Sequence, residues 1–307
     1  MRCWCQSSSS PVRSLKGYAA VAATLLLWST AVVFIKVLSR YYDLHTQNFY
    51  RYLSAAVLLW LLVSARGGSR APPLAKLAVP SLLVFSFQVL AVGGIYLTSP
   101  TTAALLMRLN VVFVNALAYA LLREERGLIS SPQYLAGLAL AVAGAAGLAV
   151  EDPAMLTLDV GALMVLAGTV FWASYTVAVR KLVKHSDPLA VSSRVFSVAT
   201  LLFLGSAALF GDLAAPLKTP IPAVALLVAS GALCVGLGNY MYYIALRELG
   251  ASLTSSLQLL GPILTAITSY MMLGEPFSLK LAGFGALLLL GCALILTKAT
   301  SSTTQRA

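Results

Sequence analysis

The amino-acid sequence predicts an all-α membrane protein that crosses the bilayer ten times. Of its 307 residues, 59% are hydrophobic and only 10% are charged, whereas soluble domains average about 25% charged residues. Long uncharged stretches recur along the chain between short turns that contain charged residues, proline or glycine. Runs such as LAGLALAVAGAAGLAV are apolar on every helical face, without the alternating pattern typical of a membrane β-barrel.

A helical span needs about 20 predominantly apolar residues, and ten stretches of the chain meet this requirement. They leave little sequence for a soluble domain. The polar stretches 1–16 and 299–307 are predicted to be disordered tails. The predicted spans cover residues 17–39, 45–64, 75–97, 100–122, 132–150, 158–180, 188–210, 221–246, 250–273 and 279–297.

The distribution of basic residues predicts the orientation of these spans. The formal net charge of the chain is +11. When consecutive loops are assigned to alternate sides of the membrane, one side receives fourteen Lys and Arg residues and the other receives four. Cytoplasmic loops carry the excess of Lys and Arg, so both termini are expected in the cytoplasm. The charge therefore reports membrane topology, and no nucleic-acid partner is expected.

The two halves of the chain can be aligned with each other. LLWSTAVVFIK in the first span aligns with VFWASYTVAVR in the sixth, which pairs Trp28 with Trp172. LNVVFVNALAYALLREE aligns with LGPILTAITSYMMLGEP, which pairs Glu124 with Glu275. Because each repeat has an odd number of spans, the second copy is inserted upside down, an architecture of transporters with a substrate site near the membrane midplane. The predicted repeats are residues 17–150 and 158–298.

The ninth span contains a helix breaker within an otherwise apolar stretch, SLQLLGPILTAITSYMMLGEP. Pro262 lacks an amide hydrogen, and its ring clashes with the preceding turn of a helix. Gly261 and Pro262 are therefore predicted to permit a bend beside a central cavity, where protein or water can satisfy freed backbone groups. Glu275 closes the stretch and is interpreted as a cap or loop anchor rather than as a proton carrier.

The fifth and tenth spans carry few polar residues and many small ones. In the fifth span, Gly137 and Ala141 are four residues apart, as are Ala143 and Gly147, and these residues are predicted to share one helical face. Faces of small residues let helices approach closely within a membrane. These spans are predicted to form a scaffold within one chain or the contact surface of a homodimer.

Residue patterns typical of enzymes and metal sites do not occur in the sequence. Its two histidines, His45 and His185, lie at the ends of spans, and there is no HExxH, GxSxG or glycine-rich phosphate-binding motif. Cys3 and Cys5 have no further metal ligands nearby. We expect no enzyme activity, no metal and no cofactor. An intramembrane enzyme or a lipid-handling protein is the alternative from another functional class.

Three arginines lie inside predicted spans, where charged side chains are costly and often functional. Arg51 and Arg194 lie near span ends, so they can reach the membrane interface or pair with Asp43 and Asp187, respectively. Arg108 lies deeper, in TTAALLMRLNVVFVNALAY. It can bond to a backbone carbonyl of a neighbouring helix, or it can provide a fixed positive group for a carboxylate or other anionic group of a substrate.

No aspartate or glutamate occupies the interior of a predicted span. Membrane carboxylates commonly carry protons in coupled transport and act as counter-ions for organic cations. Their absence favours facilitated transport along a gradient over tight proton coupling. It also disfavours the alternative that the protein exports lipophilic drugs or cations. The acidic residues of the chain are Asp43, Glu124, Glu125, Glu151, Asp152, Asp159, Asp187, Asp212, Glu248 and Glu275.

Tryptophan and tyrosine residues occur deep within several spans. Trp28 and Trp172 are repeat mates that lie about eleven to fourteen residues from the starts of their spans, too deep for an interfacial belt. They are predicted to line a cavity in which flat rings contact a moderately apolar solute. The candidate substrate-binding residues are Trp28, Ser29, Tyr96, Arg108, Asn110, Trp172, Tyr175, Asn239, Tyr243 and Gln258.

Two inverted sets of five spans, each with a tryptophan-centred first span, and the sequence LGP followed by LGEP resemble the EamA-type repeat of the drug/metabolite transporter superfamily. The resemblance extends over residues 17–298, but the first half differs, with LNV at 109–111 and LREE at 122–125. It implies a bacterial inner-membrane protein that exports amino acids and related metabolites from a central cavity. The chain is similar to YddG-like amino-acid exporters, whose substrates include aromatic amino acids.

These observations together predict a transporter that exposes one central cavity alternately to each side of the membrane. It is expected to export small amphipathic metabolites, above all amino acids, including aromatic ones. Its expected partners are this small-molecule substrate and the lipid bilayer.

Overall fold

The protein is helical throughout the part of the chain that the structure describes, and no β-strand occurs in that part. The computed structural model describes residues 11–68, 72–95, 97–98, 100–149, 159–264, 267 and 279–304. One label is given to a helix that a short π-helical or 3-10 segment interrupts. The helices are α1 (Pro11–Leu38), α2 (Leu44–Ala65), α3 (Leu74–Ile95), α4 (Pro100–Arg108 with Asn110–Leu121), α5 (Pro132–Ala149), α6 (Val160–Val183), α7 (Pro188–Phe210), α8 (Ile221–Leu249), α9 (Ala251–Leu257 with Gln258–Leu260) and α10 (Leu279–Thr304).

Several of these helices can cross a membrane. Within the described residues, seven are long and apolar enough to do so, namely α2, α3, α4, α6, α7, α8 and α10. Helix α5 is also apolar but shorter. Single turns of helix at Arg126–Ile129 and Ala215–Lys218 lie between the longer elements. The predictions of an all-α class and of a multi-pass membrane protein are confirmed.

The first and last helices extend into the predicted disordered tails. Helix α1 begins at Pro11, so residues 11–16 are helical, and α10 continues through 299–304. The structure therefore has helix at residues that the sequence predicts to be disordered. Proline is favourable in the first turn of a helix, where amide hydrogens lack partners. In α10, the hydroxyls of Thr300 and Ser301 donate to carbonyl oxygens three or four residues earlier, so polar residues continue the helix.

Helices α5 and α10 pack closely in opposite directions along their lengths. A Cβ atom added at Gly137 would lie 2.8 Å from the Gly291 carbonyl oxygen, and one added at Gly144 would lie 2.6 Å from the α10 backbone. Ala141 is fully buried in this face, whereas Ala143 is exposed. The face of Gly137 and Ala141 therefore joins two helices of one chain, and Gly144 takes the place predicted for Ala143.

Four helices of the described part depart from α-helical geometry near their middles. Helix α3 is π-helical at Gln88–Val92, and α8 is π-helical at Ser230–Leu237. Helix α4 is interrupted at Leu109, whose amide bonds to the Leu106 carbonyl at 3.1 Å, three residues earlier. Helix α9 has a 3-10 turn at Gln258–Leu260. Mid-helix segments of this kind are frequent at functional sites.

Pro262 explains the 3-10 turn in α9. In a regular α-helix, the amide of residue 262 would bond to the Gln258 carbonyl, but proline has no amide hydrogen. The Gly261 amide bonds to the Gln258 carbonyl instead, and a bond across three residues gives 3-10 geometry. The backbone thus adapts before the proline, and the helix resumes at residues 261–264. Glu275 lies outside the described residues.

Basic residues concentrate at one end of the helix bundle, which we call the basic end. It contains the loop residues 123–126, the end of α6 at 180–184 and Arg247 at the end of α8. The opposite end contains residues 39–43, 97–98 and 211–219. Segments grouped in this way contact one another, since Lys184 pairs with Glu124 and the Asp212 amide reaches Asp43.

Candidate functional site

Aromatic side chains from α1, α6 and α8 meet near the middle of the bundle. Trp28 and Trp172 contact edge to face, with ring centroids 5.5 Å apart. The Tyr242 ring lies 5.2 Å from that of Trp28 and stacks on that of Trp172 at 5.8 Å. These separations lie in the favourable range for aromatic pairs. The two tryptophans paired by the repeat alignment therefore lie together, where the two halves of the chain meet.

A second set of aromatic residues packs against this cluster. Phe87 of α3 lies 4.7 Å from the Trp172 ring, and Tyr175 lies 5.1 Å from it. The Tyr175 hydroxyl lies 2.7 Å from the Tyr243 hydroxyl, and neither side chain is exposed. The two hydroxyls therefore bond to each other in the interior of the bundle, next to the cluster.

The π-helical segment of α8 orients Trp28. The indole Nε1 of Trp28 donates to the Cys234 carbonyl oxygen at 3.2 Å. A Cβ atom added at Gly238 would lie 2.8 Å from this Nε1 atom, so only glycine leaves room for the indole there. Thr30, further along α1, contacts the Cys234 sulfur at 3.8 Å. The π-helical segment of α8 therefore fixes the Trp28 ring, which forms one side of the aromatic cluster.

Polar side chains border the cluster on α2, α3, α6 and α9. Gln88 Nε2 donates to Asn48 Oδ1 at 3.2 Å, at the start of the π-helical segment of α3. The Tyr242 hydroxyl lies 2.8 Å from Thr176 Oγ1. Gln258 begins the 3-10 turn of α9. The interruptions of α3 and α9 thus each carry an amide side chain.

Several buried polar atoms at these interruptions have no hydrogen-bond partner among the described residues. Buried polar groups are satisfied in more than about 90% of cases, and an unsatisfied one is costly. The set includes both donors and acceptors, so it suits a polar solute or water. Its atoms are Asn48 Nδ2, Arg108 Nε, Asn110 Oδ1, Asn239 Oδ1 and Gln258 Nε2.

The Arg108 side chain extends from α4 toward α9. It ends the first part of α4, directly before the interruption at Leu109. A Cβ atom added at Gly261 would lie 3.9 Å from Arg108 Nη1 and equally far from Leu25 Cδ2. Leu25 precedes Trp28 by one turn on the same face of α1. A side chain at position 261 would therefore lie close to the Arg108 guanidinium.

Of the other two membrane arginines, Arg51 differs from the expectation. Arg51 is 3% exposed, and its Nε donates to Ser230 Oγ at 2.8 Å, so it neither reaches the interface nor pairs with Asp43. A neighbouring helix offers the hydroxyl because Gly231 lets the α8 backbone contact that of Arg51. Arg194 is exposed in a groove of about 330 Å³ that Trp60 also lines, away from the aromatic cluster.

The side chains of Ser29 and Asn239, also predicted for the site, donate hydrogen bonds within their own helices. Ser29 Oγ donates to the Leu26 carbonyl of its own helix at 2.8 Å, and Asn239 Nδ2 donates to the Val235 carbonyl at 2.8 Å. Tyr96 lies outside the described residues. Sequence reasoning did not select Tyr242, Phe87 or Asn48 for the site, and no signal in the sequence marked them.

Comparison with known families identifies the kind of protein that carries this site. The sequence profile of the EamA-like transporter family matches residues 15–150 and, a second time, residues 159–297. The chain belongs to the EamA-like transporter family. Membership confirms the resemblance predicted from the sequence at the level of the family, and transport is the general function of its members.

Relatives of this EamA-like protein occur in bacteria and archaea. An uncharacterized protein of Pseudomonas aeruginosa is 34% identical over 252 residues, which cover 80% of this chain and 79% of that one. A protein of Archaeoglobus fulgidus named an uncharacterized transporter is 29% identical over 271 residues, covering 85% and 90% of the two chains. One solved crystal structure superposes with a TM-score of 0.78 at 20% identity, covering 95% of this chain and 98% of that one, and has the same fold.

Proposed function

We propose that this EamA-like protein is a secondary transporter that exports small amphipathic metabolites, above all amino acids including aromatic ones. The observation that carries this proposal is the aromatic cluster of Trp28, Trp172 and Tyr242 at the meeting of the two halves. Its flat rings suit an apolar or aromatic side chain. Unsatisfied amide and guanidinium groups lie beside it and suit the polar end of an amino acid.

The proposed architecture is ten spans in two inverted repeats, residues 17–150 and 158–298. The helix contacts support it: when each helix is replaced by its counterpart in the other half, an observed contact between two helices becomes another observed contact. Helix α1 packs on α8 as α6 packs on α3, while α2 packs on α7, α4 on α9 and α5 on α10. The interruptions support it as well, since π-helical segments occur in α3 and α8, and breaks occur in α4 and α9.

The proposed mechanism is alternating access of one central site, with the helices of the two halves rocking against each other. Interruptions in α4 and α9, next to Gly261 and Pro262, provide places where these helices can bend. We propose facilitated transport rather than tight proton coupling. Among the described helices, the sole acidic residue is Glu248, which lies at the end of α8, so no carboxylate is placed to carry protons through the centre.

The proposed location is a bacterial inner membrane, with both termini and the basic end in the cytoplasm. The concentration of Lys and Arg residues at the basic end supports this orientation. Fusion of a reporter that is active only in the cytoplasm to either terminus tests it. Activity at both termini is expected, and activity at one terminus alone would contradict an even number of spans.

Transport is tested with purified protein in liposomes. Counterflow of labelled phenylalanine is expected, and an imposed pH gradient is not expected to drive uphill movement. Trp172→Ala removes the central ring and is expected to lower counterflow by about tenfold, the effect of losing roughly 1.4 kcal/mol of aromatic contact. Trp60→Ala is the matched control, because the Trp60 side chain is 63% exposed and far from the cluster. Movement of dye cations without amino-acid counterflow would favour the alternative of a drug or cation exporter.

A further inference from the structure

Two arginines inside the bundle, Arg51 and Arg108, form no ion pair with a carboxylate of the described residues. Arg51 donates from Nε to Ser230 Oγ, and Arg108 Nε is buried without a hydrogen-bond partner among the described residues. In that same part of the chain, the ion pairs formed by arginine involve Arg180 and Arg247, both at the basic end. Among the described residues, the positive charges of Arg51 and Arg108 in the interior of the bundle therefore have no carboxylate counter-ion.

Both arginines are deep in the bundle. Arg51 lies about 10 Å along α2 from its first residue, and Arg108 lies about 12 Å along α4 from its first residue. Ser230, the partner of Arg51, belongs to the π-helical segment whose Cys234 carbonyl binds Trp28. Arg108 Nη1 lies 3.9 Å from a Cβ atom added at Gly261 of α9. The first charge thus contacts the segment of α8 that binds Trp28, and the second lies beside the interruption of α9.

Charge balance predicts what this region binds. Two positive charges in a medium of low polarity are unfavourable unless an anion approaches them. Guanidinium groups are well suited to carboxylates, to which they donate two parallel hydrogen bonds. A zwitterion brings no net charge, although the unpaired Asn110 Oδ1 and Asn239 Oδ1 atoms can accept hydrogen bonds from its ammonium group. A cation adds to the repulsion.

We infer that the central site prefers small organic anions, with a carboxylate on the Arg108 guanidinium and an apolar or aromatic body against Trp28, Trp172 and Tyr242. This inference rests on the proposed transport function and changes its preferred substrate class from amino acids to organic anions of similar shape. A carboxylate without an ammonium group is favoured over the amino acid of the same shape, and the corresponding amine is rejected.

Three probes with the same aromatic body separate these cases. They are 3-phenylpropionate, phenylalanine and phenethylamine, which carry net charges of about −1, 0 and +1 at neutral pH. Binding to the full-length purified protein is measured by tryptophan fluorescence, since Trp28 and Trp172 are in the site. The dissociation constant of 3-phenylpropionate is expected to be about tenfold lower than that of phenylalanine, with no saturable binding of phenethylamine. The measurement is repeated in sulfate and in chloride buffers, because a chloride ion bound at the site would compete with the carboxylate. Loss of the anion preference in chloride alone would show that chloride occupies the site and would overturn the inference.

The substitution Arg108→Gln tests the role of the guanidinium. It is expected to abolish the difference between 3-phenylpropionate and phenylalanine, whereas Arg108→Lys is expected to retain part of it. Arg194→Gln is the matched control, because it removes an arginine in a groove away from the cluster and is expected to leave the preference unchanged. If Arg108→Gln does not fold, the inference is tested by comparing the three probes on the unsubstituted protein and on Arg108→Lys.

The inference and the proposed transport function fail in different ways. Phenylalanine binding as tightly as 3-phenylpropionate would overturn the anion preference and leave amino-acid transport intact. An anion preference that survives Arg108→Gln would overturn the assignment to Arg108. Absence of binding and of liposome counterflow for all three probes would overturn both proposals.

Discussion

At the basic end of the bundle, one buried carboxylate connects the two halves of the chain. Glu125 accepts hydrogen bonds from the Ala251 and Ser252 amides at 2.9 and 2.8 Å, at the start of α9. Arg180 Nε lies 3.4 Å from Glu125 Oε1, and Arg180 Nη1 donates to the Arg247 carbonyl at 3.0 Å. The side chains of Glu125 and Arg180 are only 8% and 12% exposed.

At the opposite end, the carboxylates are more exposed, and most of their bonds are local. Asp43 Oδ1 accepts from the His45 and Thr46 amides at the start of α2. Asp212 forms an ion pair with Lys218, six residues later, in which both side chains are more than half exposed. Exposed ion pairs of this kind contribute at most about 1 kcal/mol.

The difference between the two ends concerns which contacts must break when the halves separate. Opening the basic end requires Glu125 to leave Arg180 and the start of α9, and buried charges separated in this way are left uncompensated. Opening the opposite end leaves the helix cap of Asp43 in place, but it breaks neutral hydrogen bonds between the halves, among them Tyr42 with Thr219 and Tyr50 with the Leu213 carbonyl. The basic end is therefore closed by one buried ion pair, and the opposite end by several neutral hydrogen bonds.

The substitution Glu125→Ala is expected to have the largest effect. It removes the cap of α9 and leaves the Arg180 guanidinium buried without a counter-ion, which costs about 3 kcal/mol. The measurement is the free energy of unfolding in detergent micelles, followed by tryptophan fluorescence. Glu124→Ala is the matched control, since this neighbouring side chain is 35% exposed. Equal destabilisation by both substitutions would show that burial of Glu125 does not close the basic end.

The substitution Gly250→Ala is expected to have the next largest effect. Gly250 has a φ angle of +90°, and an added Cβ atom would lie 2.7 Å from Glu125 Oε1. Both the backbone strain and the displacement of Glu125 are unfavourable, with an expected total of about 2 kcal/mol. Gly67→Ala separates the two contributions, because Gly67 has a φ angle of +76° and no atom within 4 Å of an added Cβ. Equal destabilisation at the two glycines would mean that displacement of Glu125 costs nothing.

Hydropathy and proline or glycine turns were enough to predict the helices and most of their ends. The helix α7 has the predicted bounds, Pro188–Phe210, because Asp187 caps a proline-led start and Gly211 ends an apolar run. Polar composition was misleading at the termini, where hydroxyl groups of α10 bond within the helix. The π-helical segments could not be predicted, because they arise where two helices adjust to each other rather than from a local sequence signal.

Only part of the candidate site could be predicted from the sequence, because some of its contacts join residues that are far apart along the chain. Trp28 and Trp172 could be paired by aligning the halves, and they are in contact. Arg51 was expected at the interface or with Asp43, but Ser230, 179 residues away in sequence, offers a closer partner. The sequence of Glu124 and Glu125 does not reveal which carboxylate is buried, because the turn at Gly250 that receives it belongs to the other half.

At the opposite end, Asp43→Ala is expected to cost about 1 kcal/mol through loss of the α2 cap. Partial burial raises the pKa of Asp43, but hydrogen bonds from Thr46, Asp212 and His45 outweigh it and hold the pKa below its ordinary value of 3.8. The carboxylate therefore stabilises the fold above pH 4, and this contribution is lost as the pH falls through and below that value. Asp43→Asn keeps a capping oxygen but does not titrate, so its stability should lack this acid-dependent component. If the stability of Asp43→Asn depended on pH in the same way as that of the unsubstituted protein, Asp43 would be excluded as the source of this dependence.

Glu124→Gln at the basic end is expected to have the smallest effect, below about 1 kcal/mol, because the Lys184 ammonium that it loses is exposed and screened by salt. The hydrogen bond from Lys184 lowers the pKa of Glu124 below its ordinary value of 4.5, and this outweighs the effect of partial burial. Its contribution is therefore complete above that pH and is lost as the pH falls below it. Unfolding measured at pH 7 in low and high salt should show the difference between Glu124→Gln and the unsubstituted protein shrinking as salt rises. A salt-independent loss comparable to that of Glu125→Ala would place Glu124 within the buried contact, and the basic end would then depend on both carboxylates rather than on one.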